Sequence, residues 1–97
     1  MKRKLAKIKS VRFGYSEYLF GLTLGIGGEG WGVVGSYYYN PSYKGHEDNG
    51  MVTMMDNVQK MLKDANVETV DKLLNKPIEC TFDGNILKEF RILTEVI

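Results

Sequence analysis

The segment 18–26 constrains the fold more than any other part of the chain, because large and small side chains alternate along it. The large residues of one parity are Tyr18, Phe20, Leu22, Leu24 and Ile26. Gly21, Thr23 and Gly25 lie between them. Successive side chains of a strand point to opposite faces, so the pattern predicts a β-strand with one bulky face and one bare face. A sheet containing such a strand needs a covering layer on one side only.

A helix in the second half of the chain is predicted to supply that layer. Between residues 51 and 65, apolar residues recur at the spacing of one helix face. They are Met51, Met54, Met55, Val58, Met61, Leu62 and Ala65. We expect this helix to end at Asn66, and a second short helix to run through Val70, Leu73 and Leu74 before Pro77 stops it.

Three strands are predicted before the helix. The first runs from Lys4 to Tyr15, and its apolar positions change parity near Lys9 and Ser10, which indicates a β-bulge. Glycines in the segment 27–30 predict a hairpin turn that leads from the strand over 18–26 into a third strand over 31–39.

Two more strands are predicted after the helices. Ile78, Cys80 and Phe82 alternate with polar residues and point inward, and Gly84 marks a turn. The returning segment 86–96 is predicted to place Ile86, Phe90, Ile92 and Val96 on one side. The element order is β-β-β-α-α-β-β. It predicts an α+β protein with an antiparallel sheet of about five strands, one face of which is covered by the amphipathic helix.

Length and charge limit the classes of function. A chain of 97 residues buries one modest core, so we predict a single α+β domain over residues 1–97. The net charge of +1 argues against a protein whose main task is to neutralise a polyphosphate backbone. Basic residues nevertheless gather at the start of the chain, at Lys2, Arg3, Lys4, Lys7, Lys9 and Arg12. Weak nucleic-acid binding through this basic first strand therefore stays as an alternative, and it predicts affinity that falls steeply with salt.

Cysteine usage and hydropathy predict an intracellular protein without a membrane anchor. Cys80 is the single cysteine, so an intramolecular disulfide is excluded. No apolar run approaches the roughly 20 residues of a membrane span. A small chain without disulfides or a structural metal often gains stability by self-association, so we expect a homo-oligomer.

The sequence does not supply a complete catalytic set. The segment 25–30 formally matches G-x-G-x-x-G, but a strand rather than a helix is predicted to follow it, which favours a hairpin turn over a dinucleotide-binding loop. His46 is the single histidine, and we interpret it, with Glu47 and Asp48, as part of a solvated loop rather than a cation site. Cys80 is interpreted as a small buried hydrophobic residue. We therefore expect a protein that is not an enzyme and that uses no metal or cofactor.

A set of aromatic and cationic residues points instead to binding. Aromatic rings stack on nucleobases, arginines pair with phosphates, and glycine lets the backbone approach a phosphate closely. The predicted ligand-binding residues are Arg12, Gly28, Trp31, Tyr37, Tyr39, Tyr43 and Arg91. The alternative is that most of the tyrosines are ordinary sheet residues.

Three segments of the chain also carry a resemblance. Gly27-Gly-Glu-Gly-Trp-Gly32, Val70-Asp-Lys-Leu-Leu-Asn-Lys-Pro-Ile78 and Leu87-Lys-Glu-Phe-Arg-Ile-Leu-Thr-Glu-Val96 resemble small accessory proteins encoded by bacteriophages and prophages. The resemblance implies a short protein that acts stoichiometrically in the bacterial cytoplasm, frequently against host defence. It assigns no functional residue.

Together these observations predict a non-enzymatic phage accessory protein that binds and sequesters a small nucleotide signal and so antagonises antiviral defence. The first alternative is a protein-interaction module that inhibits a host defence nuclease complex.

Overall fold

A computed structural model describes residues 1–43 and 50–96 of the chain. Its strands are β1 (Lys2–Ser16), β2 (Leu19–Gly28), β3 (Trp31–Tyr39), β4 (Pro77–Asp83) and β5 (Ile86–Ile92). One α-helix, α1 (Met51–Ala65), lies between β3 and β4, and short 3-10 turns cover Val70–Leu73 and Thr94–Val96. The predicted α+β class, with one five-stranded antiparallel sheet and a covering helix, is confirmed.

The long strand β1 lies at the centre of the sheet and changes partner along its length. The strand order is β3-β2-β1-β4-β5, and all neighbours are antiparallel. The first part of β1, from Lys2 to Lys7, pairs with β4. The part from Lys7 to Ser16 pairs with β2. The two parts of β1 therefore belong to different halves of the sheet, and Lys7 is the residue that they share.

The predicted bulge in β1 is confirmed. Ile8 pairs with Ile26 and Ser10 pairs with Gly25, so Lys9 is an extra residue that has no pairing partner on β2. Because of this extra residue, apolar side chains before and after the bulge point to the same face of the sheet. We call this face, which α1 covers, the inner face, and we call the opposite face the outer face.

The core lies between the inner face and α1. Of the predicted stripe, the helix buries Met54, Val58, Met61 and Ala65. Met51 and Met55 are exposed, so the buried stripe is narrower than predicted. The sheet contributes buried aliphatic residues from its three central strands, among them Ile8, Leu22, Leu24, Ile26 and Ile78. Cys80 is buried with them, as predicted.

The sheet is curved enough to bring its two outer strands together over the core. The ring of Tyr37 on β3 lies 5.1 Å from the ring of Phe90 on β5, centroid to centroid. A Cβ added to Gly35 would lie 2.6 Å from Cε1 of Phe90, so this glycine provides the space for the ring. The helix packs across both of these strands.

Three details of the sequence prediction are wrong at the ends of elements. Tyr18 lies in the β1–β2 turn and is 62% exposed, rather than forming part of the strand face. The second helix is only the 3-10 turn Val70–Leu73, because Leu74 leaves helical geometry. The last strand ends at Ile92, and both Ile86 and Val96 are exposed.

The position of Ile86 has a physical cause. The β4–β5 pairing shifts register between Thr81 and Phe82, so that Leu87 rather than Lys88 is opposite Phe82. This irregularity reverses the faces of the residues that follow the turn. Simple alternation counted back from Phe90 therefore places Ile86 on the wrong side.

Across the described ranges, each helix falls short of the length and apolar character that a membrane crossing requires.

Candidate ligand-binding cleft

The two arginines of the predicted binding set lie on the outer face and in different halves of the sheet. Arg12 is on the part of β1 that pairs with β2, opposite Thr23. Its Nη2 donates a hydrogen bond of 2.6 Å to the backbone carbonyl of Tyr15. Arg91 is on β5, opposite Glu79 of β4. The partners of β1 change between these positions, so the two guanidinium groups do not converge.

Arg91 is engaged by two carboxylates of its own chain. Its Nε donates to Oε1 of Glu79 at 3.1 Å, and its Nη2 donates to Oε2 of Glu95 at 2.8 Å. The hydrogen bond from Arg91 lowers the pKa of Glu95 to about 2, and the same contact raises the pKa of Arg91. The guanidinium is thus committed to an ion-pair cluster at the surface, where a phosphate would compete with both carboxylates.

The aromatic members of the set face inward or lie apart. Tyr37 packs on Phe90, and burial of its hydroxyl raises its pKa. Tyr39 lies 6.0 Å from Phe20, ring centroid to ring centroid. Tyr43 follows β3 and is exposed. The sheet therefore separates the inner-face tyrosines from the outer-face arginines, and the predicted set does not form one site.

Two members of the set, Gly28 and Trp31, do lie together. They pair across the β2–β3 hairpin, and a Cβ on Gly28 would lie 2.6 Å from Cζ2 of Trp31. The indole also packs edge-to-face on Phe82, with ring centroids 5.6 Å apart. The ammonium of Lys4 lies 5.3 Å from the centroid of the indole. The turn end of this hairpin is therefore fixed by aromatic and cation–π contacts.

A cleft opens on the outer face beside this hairpin, where β1 exchanges β4 for β2. Its volume is about 480 Å³, within the range of small-molecule sites. Leu5, Pro77 and Leu93 provide its apolar lining. Gly27 and Gly28 form the side toward the hairpin.

Charged side chains stand at the rim of the cleft. Lys7, Lys9 and Glu29 line it, which leaves one positive charge in excess. Both lysines are exposed, and within the described residues neither ammonium takes part in an ion pair. We call the space bounded by these lysines, Gly27 and Gly28 the Lys9 cleft.

The β1 bulge and the facing glycine place Lys9 at this rim. Lys9 is the extra residue of the bulge. A Cβ on Gly27 would lie 3.1 Å from Cγ and 3.5 Å from Cε of Lys9, so the lysine stem runs along the bare strand β2. Bulges commonly redirect a side chain next to a functional site, and glycine permits the close approach.

A second hollow extends the Lys9 cleft along the outer face. It shares Lys9, Gly27 and Gly28 with the first and adds Trp31 and Val34, with a volume of about 450 Å³. The indole of Trp31 lies on the inner face against Phe82, so Trp31 borders this hollow through its backbone. Lys9 thus lies between two largely apolar hollows. A ligand that joins an anionic group to a flat apolar group fits this arrangement.

Sequence reasoning missed most of the Lys9 cleft. Gly28 and Trp31 were predicted as ligand contacts, whereas Lys7 and Lys9 were considered only for nucleic-acid binding. The parity change at Lys9 was the available signal, because a bulge redirects the side chain that it adds. Leu5, Pro77 and Leu93 offered no signal, since their proximity depends on where β4 stops pairing with β1.

The residues considered for metal or nucleophilic chemistry do not contribute to this cleft. His46, Glu47 and Asp48 lie outside the described residues. Among the residues that are described, His, Cys, Asp and Glu side chains do not gather in groups of three or more as a cation site requires. Cys80 is fully buried on the inner face, and burial raises the pKa of its thiol.

Burial of Cys80 leads to the first prediction. The native protein should react with a thiol reagent at neutral pH at least 100-fold more slowly than the urea-unfolded chain, because attack requires an exposed thiolate. The rate should rise in parallel with the unfolded fraction in a urea titration followed by circular dichroism. Fast labelling of the folded protein would show that the β4 region opens locally.

No protein-family model, curated protein or solved structure matches this chain.

Proposed function

We propose that this protein captures a small nucleotide in the Lys9 cleft and holds it without converting it. The observation that carries the proposal is the placement of Lys7 and Lys9 beside an apolar hollow on the bare face of the sheet, where neither forms an ion pair with a described residue. Small-molecule sites are mostly apolar, with a few polar groups that fix orientation.

The residues suggest how a nucleotide lies. The two ammonium groups hold the phosphate. The base occupies the second hollow, where Val34 and the bare glycine backbone supply an apolar contact surface. Glu29 at the hairpin tip accepts hydrogen bonds from ribose hydroxyls or the exocyclic amine of a base.

The resemblance to small phage proteins suggests the setting of this activity. In that setting the protein acts in the bacterial cytoplasm and removes a nucleotide immune signal by stoichiometric capture. A protein that acts in this way requires tight binding rather than turnover, which agrees with an open cleft lined by lysines and apolar groups. We also propose that it works as a homo-oligomer.

A nucleotide panel provides the main test. Cyclic mononucleotides, cyclic dinucleotides and ADP-ribose derivatives are screened by thermal shift and then by calorimetry. A ligand at 100 times its Kd stabilises the folded state by about 2.7 kcal/mol, which gives a clear rise in Tm. The matching nucleosides and inorganic phosphate serve as controls, and we expect both to bind much more weakly than the intact nucleotide.

Two single-residue deletions test whether Lys9 is a contact. Deleting Lys9 removes the bulge and leaves every other residue of β1 on its present face, because Ile8 and Ser10 already pair with consecutive residues of β2. Deleting Ser10 also straightens β1 but keeps the lysine on the outer face. We expect the Lys9 deletion to bind the nucleotide at least tenfold more weakly than the Ser10 deletion, since a lost charge-assisted hydrogen bond costs about 1.5 kcal/mol or more.

A charge control completes this test. The double variant Lys7→Gln/Lys9→Gln should lose binding, whereas Lys63→Gln/Lys72→Gln removes the same charge from exposed sites elsewhere and should retain it. Equal affinities of the two double variants would exclude the Lys9 cleft as the binding site.

The alternatives give different results in the same experiments. Co-purification with a bacterial protein, without bound nucleotide and without binding across the panel, would favour the protein-interaction module. Binding of single-stranded or duplex DNA that weakens steeply with salt would favour the basic first strand. Turnover of a panel nucleotide by the purified protein would contradict capture without conversion.

A further inference from the structure

One edge of the central strand is open over half of its length. On the side of β1 away from β2, pairing with β4 ends at Lys7. The backbone of Ile8 then bonds Asn75 and Lys76, at 2.7 and 3.1 Å. Within residues 1–43 and 50–96, no strand pairs with this side of β1 from Ser10 to Ser16, and the 3-10 turn Val70–Leu73 is the non-strand element that lies against β1. We call the segment 10–16 the open edge.

Alternate residues of the open edge direct their backbone groups away from the sheet. The β1–β2 turn has two residues, so Ser16 and Leu19 form the hydrogen-bonded pair that closes the hairpin. It follows that Val11, Phe13 and Tyr15 point their N–H and C=O groups outward. A hydrogen bond at Tyr15 is consistent with this outward orientation. The backbone carbonyl of Tyr15 accepts it, at 2.6 Å, from the side chain of Arg12 rather than from a strand.

The inner-face side chains of the open edge form an exposed aromatic surface. Phe13 is 41% exposed and Tyr15 is 60% exposed. Both pack edge-to-face on Phe20, with centroid distances of 5.3 and 5.0 Å. Exposed edge strands are normally protected by several charges, by proline or by covering segments. Arg12 is the single charged residue of the open edge.

We propose that the open edge pairs antiparallel with the same edge of a second copy of this chain, about a two-fold axis at Phe13. Phe13 of one copy then faces Phe13 of the other, and Val11 faces Tyr15. Because these are the residues with outward backbone groups, this register forms about six main-chain hydrogen bonds. The two sheets join into one continuous sheet, which is an isologous interface.

The length of the open edge selects this register. Phe13 is the midpoint of the segment 10–16, so a two-fold axis there uses the whole open edge. A shift in either direction leaves part of the edge unpaired or drives the β1–β2 turn into the segment that bonds Ile8. Phe13 is also one of the residues whose N–H and C=O groups point outward, so the pair on the axis is a hydrogen-bonded pair.

The side chains of the open edge are complementary to themselves in this register. On the outer face, Arg12 of one copy lies opposite Gly14 of the other, and nothing would lie within 4 Å of a Cβ at Gly14, so the arginine has space. On the inner face the aromatic residues meet and extend the surface around Phe20. At the end of the paired segment, Glu17 reaches the level of Lys9 of the other copy, which joins opposite charges. A second copy therefore fits the shape and the charge of the edge.

A charge-exchange experiment tests the proposal directly, because a residue on a two-fold axis meets itself. The wild-type protein should be a dimer by native mass spectrometry and by light scattering without added ligand. Phe13→Lys and Phe13→Glu should each be monomeric, since like charges face each other. An equimolar mixture of the two variants should form a heterodimer, identified by its mass.

Controls separate loss of pairing from loss of folding. Circular dichroism reports whether each variant is folded, and Tyr38→Lys, which replaces a 56% exposed tyrosine on β3, should remain dimeric. Tyr15→Lys provides a second variant at a more exposed position and should also be monomeric. A monomeric wild-type protein, a dimeric Phe13→Lys variant, or folded monomers that do not combine when mixed would each overturn the proposal.

Discussion

Replacing Gly21 with alanine should lower the free energy of unfolding by about 3 kcal/mol, the upper range for an overpacked site. Gly21 pairs with Tyr38 in the β2–β3 ladder. A Cβ at this position would lie 2.6 Å from Cα of Tyr38 and closer still to the carbonyl oxygen of Tyr37. These are backbone atoms of a paired strand, so they cannot rotate aside as the end of a side chain does. Relief requires β2 and β3 to separate locally.

The matched control for this prediction is Gly32→Ala in the same ladder and on the same face. A Cβ on Gly32 would lie 3.5 Å from the carbonyl oxygen of Ile26, an ordinary van der Waals contact. Both variants carry the same intrinsic change from glycine to alanine, so their difference isolates the steric effect. Urea titrations should place the midpoint of Gly21→Ala well below that of Gly32→Ala, and equal midpoints would contradict the close approach.

The glycines illustrate which features a sequence can predict and which it cannot. Alternation of glycine with large residues is a local pattern, and it predicted the bare face of β2 correctly. The reason for each glycine is not local. Gly21 accommodates the backbone of β3, Gly27 accommodates the stem of Lys9, and Gly35 accommodates Phe90 from the opposite edge of the sheet. These neighbours are set by strand pairing and by the curvature of the sheet.

The same distinction explains the outcome at the β-bulges. The bulge in β1 was predictable because apolar residues continue on both sides of it and the change of parity at Lys9 is visible. The irregularity opposite Thr81 follows a turn, where exposed Ile86 preserves the appearance of regular alternation. An exposed isoleucine and a buried one carry the same letter, so hydrophobicity alone assigns the wrong face.

The candidate site was less predictable than the fold, because its residues come from several elements. Arg91 was a reasonable phosphate ligand in isolation. Its ion pairs with Glu79 and Glu95 depend on the β4–β5 register and on the turn at the end of β5. Conversely, Lys9 gains its place beside an apolar hollow only because β1 exchanges partners at Lys7. Residue types indicated binding by cations and aromatic groups, and the topology decides which of these groups meet.

The Lys9 cleft and the open edge occupy adjoining stretches of β1, and this proximity relates the two proposals. The bulge at Lys9 separates the part of the strand that contacts the cleft from the part that is free to pair. If two copies associate through the open edge, the β1–β2 turn of one lies near the Lys9 cleft of the other. Ligand affinity and dimerisation would then be linked, and each would strengthen or weaken the other by the same factor.

Replacing Ile78 with alanine should cost about 3 kcal/mol or more, whereas the same change at Ile86 should cost less than about 0.5 kcal/mol. Ile78 is fully buried on β4 and lies between Ala6 and Ile92, its paired neighbours on the inner face. Alanine at Ile78 leaves a cavity that the sheet and α1 cannot close without losing contacts elsewhere. Ile86 belongs to the same hairpin and is 63% exposed, so its truncation removes little buried surface. Urea unfolding of the two variants compares one residue type at two positions with the same predicted face. Similar losses in both would mean that Ile86 packs inward and that the register shift opposite Thr81 is absent in solution.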